Sequence, residues 1–368
     1  MMSKKYLVRL EPTGKFFFGG DMQFGINGKE GKFSSYIIES SMMPQQTSLL
    51  GMMRFLLLSN NDVLFDVKNN CIRQRVSVDD LIGKSSFSVN DGKSENAFGK
   101  ILSLGPCCVY KDGKRYFRTP MDNDFLSINW DNAVKATING KKVHLPELKV
   151  MDKDKNKEDD YTGKYIFSSS FMEYHSREMI DEEKIFKKDP RIGIDKEYEG
   201  KSKKNAFYKQ ISYRLENGFC FAFDVEVDDN VDLTEYNGQL VNLGADSSTF
   251  IFNAEEYNNV EDDNKDGLSV VLLSDAYISD EMIKDIQIRY SINQTRPFRF
   301  ISTNNNSDAS YYRINGKNAA KRSERFELYQ AGSVFYFENE EQKNKFCDAL
   351  KNRKDFNQIG YNKYYIKK

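Results

Sequence analysis

The stretch that decides the fold runs from residue 14 to residue 58 and reads GKFFFGGDMQFGINGKEGKFSSYIIESSMMPQQTSLLGMMRFLLL. It opens with Phe16-Phe17-Phe18, an apolar run that is typical of a buried strand and is broken by two glycines. A polar loop at 21–32 follows and contains further glycines. The stretch therefore predicts a buried strand and a loop that lead into a helix.

The second half of this stretch predicts an apolar helix that runs to about Leu58. Thr47 or Ser48 is expected to cap its start, and the polar residues 59–62 are expected to end it. Arg54 is its only charged residue, so we expect the helix to be buried against a sheet. Its polar N-terminus is the end most suited to an anion, because the first N–H groups of a helix lack intrahelical partners.

Four stretches in order carry a resemblance to a known family. The helix start fits P-x-x-[ST]-[ST]-L-x-G-x-x-R, and the later stretches are Asp189–Ile194, Leu243–Ser248 and Ala331–Phe337. Together they resemble the RAMP superfamily of CRISPR proteins, and within it subunit three of the type III-B (Cmr) effector complex. The loop at 243–248 lacks the second glycine and the arginine that are usual in that family.

A weak internal repeat predicts the fold class. The strand pattern FCFAFDVEV at 219–227 precedes a possible short helix and then LGADSSTFIF, while GSVFYFE at 332–338 precedes a helix at about 340–352 and then IGYNKYYI. We therefore predict an α+β protein with two ferredoxin-like β-α-β-β-α-β units, as the resemblance to RRM-like RAMP domains also implies. The predicted domains are 1–260, with insertions at about 71–210, and 261–368.

Local patterns predict further elements. Lys5–Leu10 is predicted as the first strand, and Asp112-Gly113 predicts the turn of a hairpin near 107–118. The mixed-charge run at 151–160 is predicted to be an inserted loop, and 171–188 to hold a short helix.

Composition limits the class of protein without naming its ligand. The chain has 368 residues, enough for two cores, and a formal net charge of only −1. Any RNA site must therefore be a local patch or be lined by neutral donors. The five cysteines form no C-x-x-C pair, which argues against a zinc site or a disulfide framework. With no signal peptide or long apolar run in the sequence, we expect a cytoplasmic protein.

The sequence offers little for catalysis. Its two histidines, His144 and His175, form no metal-binding spacing, and no nucleotide or hydrolase motif is present. Asp21 in the glycine loop could serve a metal, although loop capping is the simpler interpretation. We therefore expect no catalytic residue, no metal and no cofactor.

Single-stranded RNA binding is better supported, because aromatic rings, basic side chains and glycine-loop amides are the groups that hold it. Alternatives stay open: the glutamines could only complete the helix cap, Arg54 could form a structural salt bridge, and the lysines could lie in a solvated loop. The candidates are Gly19, Gly20, Phe24, Gln45, Gln46, Thr47, Ser48, Arg54, Arg191, Gly193, Lys201, Lys203 and Lys204, with Tyr361, Asn362 and Lys363 as further ones.

The resemblance implies a non-catalytic subunit that binds the 5′ handle of the CRISPR RNA. It also implies contact with the large polymerase/nuclease-like subunit and with a backbone RAMP subunit. Two other functions remain open: an endoribonuclease that processes precursor CRISPR RNA with His144 or His175 as base, and a backbone subunit that cuts target RNA with Asp21.

Overall fold

The structure is a computed structural model and describes most of the chain. The described residues are 3–19, 22–26, 33–84, 86–90, 92, 95–125, 127–138, 141–152, 157–160, 169–196, 202–246, 248–257, 266–303 and 320–367.

Strands dominate the secondary structure. In chain order, β1 to β26 are Ser3–Pro12, Met22–Ile26, Phe33–Glu39, Phe65–Asp66, Cys71–Ile72, Ile101–Leu104, Cys108–Lys111, Lys114–Arg118, Ser127–Ile138, Lys141–Asp152, Lys157–Asp160, Ser170–Glu173, Met179–Asp181, Phe186–Lys196, Ser202–Leu215, Cys220–Asp228, Leu240–Asn242, Thr249–Glu256, Ser269–Leu272, Tyr290–Ile292, Thr295–Phe298, Ile301–Thr303, Ala320–Arg322, Phe326–Tyr329, Val334–Tyr336 and Tyr364–Lys367. The α-helices α1 to α5 are Gln46–Ser59, Arg75–Ile82, Asp280–Ile283, Glu340–Asn352 and Lys354–Gln358. Short 3-10 helices are Met121–Asp124, Glu182–Lys184 and Leu233–Tyr236.

The chain divides into two units, each built from separated segments. The first unit comprises Met1–Lys84, Phe98–Arg115 and Ile180–Asn258. The second comprises Ser85–Ala97, Tyr116–Met179 and Asn259–Lys368. The main chain thus leaves the first unit for the last time after residue 258. The grouping of all residues 1–260 into one domain stays a prediction.

The first unit contains an antiparallel sheet with the strand order β7-β16-β1-β18-β17. Helix α1 follows β1, and a 3-10 helix lies between β16 and β18. This is the β-α-β-β-α-β order of a ferredoxin-like unit, with the second helix reduced to one 3-10 turn. A second sheet of the unit has the order β14-β15-β3-β2, in which β15 and β3 are parallel.

Aromatic packing explains why the main sheet is buried on both faces. On β16, the consecutive residues Phe221, Ala222 and Phe223 all have no exposed surface. Phe16 stacks on Phe18 with 4.7 Å between ring centroids and meets Phe221 edge-on at 5.3 Å. Helix α1 contributes a further apolar layer, with the buried residues Leu49, Leu50, Met52, Met53, Leu56, Leu57 and Leu58. The predicted buried helix is therefore confirmed.

The second unit repeats this order. Its antiparallel sheet is β20-β25-β19-β26, with α3 between β19 and β20 and α4 between β25 and β26. On one face, Phe335 and Phe337 pack against Phe346 and Leu350 of α4. The α+β fold class is confirmed, and both strand orders agree with the predicted ferredoxin-like units.

Two local predictions were wrong. The segment 171–188 forms no α-helix; it contains β12, β13 and one 3-10 turn, because a tight turn at 174–177 reverses the chain. The segment 151–160 is not all loop, because Lys157–Asp160 pairs with 149–152 of β10. Charged residues in an edge strand do not prevent backbone pairing. The predicted turn at Asp112-Gly113 is confirmed, with positive φ values of 50° and 80°.

Candidate RNA-binding surface

Helix α1 begins earlier than the capping pattern predicts. Gln45 is its N-cap in an extended conformation, and its carbonyl accepts from the N–H groups of Ser48 at 2.9 Å and Leu49 at 3.2 Å. The side chain of Gln45 makes no capping hydrogen bond. Thr47 and Ser48 therefore lie within the first turn, half-buried and exposed, respectively. With no acidic residue in that turn, the positive end of the helix dipole has no compensating charge of its own.

Gln46 has a structural role that the sequence did not predict. Its side chain is 5% exposed, its Nε2 donates to the Gly105 carbonyl at 2.8 Å, and its Oε1 accepts from the Cys107 N–H at 3.2 Å. Both ends of the amide are thus bonded to a segment about 60 residues away in the chain. The expectation that Gln46 lies near the surface was wrong, because this amide satisfies the backbone groups of that segment.

Arg54 is also engaged within the fold. It is 8% exposed, and its Nη2 donates to the Gly83 carbonyl at 2.9 Å. The structural alternative is therefore favoured, because a backbone carbonyl within the fold accepts from the guanidinium. A contact of Arg54 with RNA stays an untested prediction.

The loop after Phe16-Phe17-Phe18 is tied to the residues that lead into α1. The Gly19 carbonyl accepts from the Ser41 N–H at 2.6 Å, and the Phe18 N–H donates to the Ser40 hydroxyl at 2.9 Å. Gly19 has φ +78°, a conformation that glycine adopts without strain. These hydrogen bonds tie the loop to the segment that leads into α1. Gly20, Asp21 and Lys201 lie outside the described residues.

The loop at 243–248 pairs with Phe17, which forms an isolated β-bridge with Ala245. The Ala245 N–H donates to the Phe17 carbonyl at 2.7 Å, and the Phe17 N–H donates to the Ser248 hydroxyl at 2.9 Å. Gly244 has φ +92°, and a Cβ there would lie 2.4 Å from the Phe17 carbonyl oxygen. Asp246 accepts from the Gln210 amide. The close approach of the two backbones thus requires a glycine at residue 244. The buried Ser248 hydroxyl holds the loop to Phe17.

The basic hairpin of β14 and β15 carries the remaining candidates. Arg191 is exposed, while Gly193 lies opposite Tyr208, whose ring would be 2.1 Å from a Cβ at residue 193. Packing against this ring therefore requires glycine at residue 193. A contact of Gly193 with RNA stays a prediction. Lys203 and Lys204 belong to β15, as Phe24 belongs to β2, but the structure describes only their backbone.

The further candidates near the C-terminus are internal. Tyr361 and Asn362 are each 1% exposed. The Asn362 Oδ1 accepts from the Tyr277 N–H at 2.8 Å, so its side chain fixes the glycine turn before the last strand. Lys363 is half-buried. Tyr361 and Asn362 are thus buried in this turn, and a contact of either residue with RNA stays a prediction.

The candidate surface thus consists of three segments linked at residues 16–19, where Phe16 and Phe17 form isolated β-bridges rather than the predicted strand. The loops at 16–19, 40–48 and 243–248 are joined by hydrogen bonds through Phe17, Phe18 and Gly19. The described residues contain no group of three or more His, Cys, Asp or Glu side chains placed to bind one metal ion. Within those residues, no helix has both the length and the apolar character needed to span a membrane.

Comparison with protein families identifies the relatives of the chain. The family model for the CRISPR-associated protein Cas_Cmr3 matches residues 8–368. The chain belongs to the Cas_Cmr3 family. This confirms the resemblance to subunit three of the type III-B (Cmr) effector complex. A search of curated proteins found no match.

A solved structure agrees with this Cas_Cmr3 assignment at the level of the fold. A chain from a cryo-EM structure of the type III-B Cmr-beta bound to cognate target RNA has a TM-score of 0.50 and 15% identity, over 99% of this chain and 96% of that one. A chain from a crystal structure of a Csm3-Csm4 subcomplex of the type III-A interference complex has a TM-score of 0.32 and 11% identity, over 90% and 92% of the two chains.

Proposed function

We propose that this chain is a non-catalytic RNA-binding subunit of a type III-B CRISPR effector complex. It would hold the repeat-derived 5′ handle of the CRISPR RNA and bridge the large subunit to the backbone RAMP subunit. Membership of the Cas_Cmr3 family and the cognate-target-RNA-bound Cmr-beta relative support this assignment. A handle of constant sequence makes base-specific contacts worthwhile, whereas phosphate contacts only position the RNA.

The observation that carries the proposal is the unblocked start of helix α1. Gln45 leaves its side chain uncommitted to capping, Ser48 is exposed, and the first turn has no acidic side chain. A helix N-terminus of this kind attracts phosphate through its dipole. The glycine loop at Gly19 is hydrogen-bonded to Ser41, in the segment that leads into this helix, and glycines allow close approach of a nucleotide to the backbone.

Ser48 offers a test in which the fold and the RNA site respond in opposite directions. An acidic side chain in the first turn of a helix stabilises it by about 0.3–1 kcal/mol, so Ser48→Asp should keep or raise the melting temperature. The same charge repels phosphate, so this variant should release repeat-derived RNA from the assembled complex at lower salt. Ser48→Lys is the matched control and should retain RNA to higher salt.

Equal RNA retention by both Ser48 variants would remove the helix start from the RNA site. The absence of catalysis is tested separately by incubating the purified chain with repeat-containing RNA and a divalent metal. We expect no cleavage. Cleavage that is lost in His175→Ala or His144→Ala would instead support the processing endoribonuclease.

A further inference from the structure

The sheet of the second unit is closed on the face opposite α4. Asp122 is 8% exposed and accepts from Lys367 Nζ at 2.7 Å and from the Tyr336 hydroxyl at 2.6 Å. Phe125 and Leu148 pack on the same face, beside Ile292 of β20. RRM-type domains stack RNA bases on this face of the sheet. Here segments of the chain itself occupy the centre, so an RNA contact of this unit must lie at a margin.

One margin carries an arginine on aromatic rings. The guanidinium of Arg177 lies 4.4 Å from the ring centroid of Tyr365 on β26 and 5.6 Å from that of Tyr174. The ring of His175 lies edge-on to Tyr174, with 5.0 Å between centroids. His175 is exposed and Tyr174 half-buried, so the cluster presents aromatic surface next to a positive charge.

The turn that holds these residues is fixed by a buried carboxylate. Glu173 is 3% exposed and accepts from the N–H groups of His175, at 3.0 Å, and Ser176. The Arg177 N–H donates to the Glu173 carbonyl at 3.1 Å, and Arg177 has φ +62°. Non-glycine residues seldom adopt this conformation. The negative charge of Glu173 is thus directed at backbone amides rather than at the guanidinium.

Arg177 is exposed to solvent although its guanidinium lies against two aromatic rings. Its side chain is exposed, and in the described part of the chain no carboxylate forms an ion pair with it. An exposed guanidinium beside an aromatic ring can still donate two parallel hydrogen bonds to a phosphate.

We propose that Arg177 binds a phosphate of single-stranded RNA, with the Tyr174–His175 pair as the stacking surface for the adjacent base. This rests on the proposed function, because it assumes that the chain meets RNA. The adjoining rings favour RNA over an acidic protein segment, since every base offers a face for stacking.

Arg177→Gly separates binding from folding. Glycine adopts φ +62° without strain, so the melting temperature of the full chain should be unchanged. Binding of a fluorescent single-stranded repeat RNA should weaken by about 10-fold or more, as expected for a charge-assisted contact. In a potassium chloride series, the slope of log K against log salt should become shallower by about 0.7, the loss of one phosphate contact. Arg325→Ala removes an exposed, ion-paired arginine from the same unit and should leave the slope as in wild type.

Each other outcome overturns the proposal in a distinct way. A lower melting temperature with unchanged RNA affinity would make Arg177 a packing residue. Loss of a partner subunit from the RNA-free complex, with unchanged RNA affinity, would make the turn a protein contact. Sensitivity to Ser48→Asp without sensitivity to Arg177→Gly would refute this site alone. No binding of repeat RNA by the wild-type complex would refute the proposed function as well.

Discussion

Replacing Gln46 by alanine should damage the fold, whereas replacing Gln45 should not. The Gln46 side-chain amide forms hydrogen bonds with the Gly105 carbonyl and the Cys107 N–H. Both backbone groups would lose this partner in the alanine variant. An unsatisfied buried group costs about 1–3 kcal/mol. Both groups lie in a half-buried segment, so we expect Gln46→Ala to lower the free energy of unfolding by about 2–3 kcal/mol in total. The Gln45 side chain makes no capping hydrogen bond, so Gln45→Ala should lower the free energy of unfolding by under about 0.5 kcal/mol.

Hydrogen exchange measures this effect where it arises. About 2 kcal/mol corresponds to about 30-fold in an opening equilibrium, so the Cys107 amide should exchange about that much faster in Gln46→Ala. Gln46→Met keeps the length and apolar stem of the side chain but not its amide, and should behave like the alanine variant. An unchanged exchange rate in both variants would show that the two hydrogen bonds contribute nothing to stability. RNA retention is then compared in Gln45→Ala, where folding does not obscure it.

Three more results are expected. Gly193→Ala should make the β14–β15 hairpin more susceptible to limited proteolysis. Adding Tyr208→Ala should restore resistance, because the clash is with that ring; failure of the rescue would refute the packing role. Phe87→Ala should lower the free energy of unfolding by about 3–5 kcal/mol, since the ring is 2% exposed among other aromatic rings, and a cost below about 1 kcal/mol in denaturant titration would contradict this. The hydrogen bond from Asn69 holds the pKa of Asp66 at about 2, below its usual 3.8, so the stabilisation is present above about pH 4 and is lost as the pH falls toward 2; Asn69→Ala should raise that pKa in an NMR titration, and an unchanged value would exclude the contact.

Elements whose signals are local were predictable from the sequence. The helix Glu340–Asn352 has the predicted bounds, because its acidic start, its basic end and the cap by Asn339 all lie within its own residues. The first strand and the turn at Asp112-Gly113 were likewise set by local alternation and by turn residues. The repeat of strand, helix, glycine turn and strand was sufficient to predict both ferredoxin-like units.

Features that depend on distant partners were not predictable. Gln46 looked like a surface residue because Gly105 and Cys107 are remote in the sequence. The segment 171–188 looked helical because its short strands and its turn depend on the carboxylate of Glu173 and on pairing with β8. Within the candidate site, Ser48 lies in the first turn of the helix although the local pattern predicted it as a cap, and the burial of Gln46 and Arg54 follows from tertiary contacts alone.

The interleaving of the two units has a consequence for synthesis on the ribosome. Residues 85–97 and 116–179 of the second unit emerge before the final segment of the first unit, which ends at residue 258. They must therefore wait for strands that are translated more than 100 residues later, while Phe87 and Phe125 have no completed core to enter. Exposed apolar segments of this kind are prone to aggregation during folding. Slow translation without chaperones should thus increase aggregation of this chain. Division of the chain near residue 258 would leave the second unit without both of its early segments.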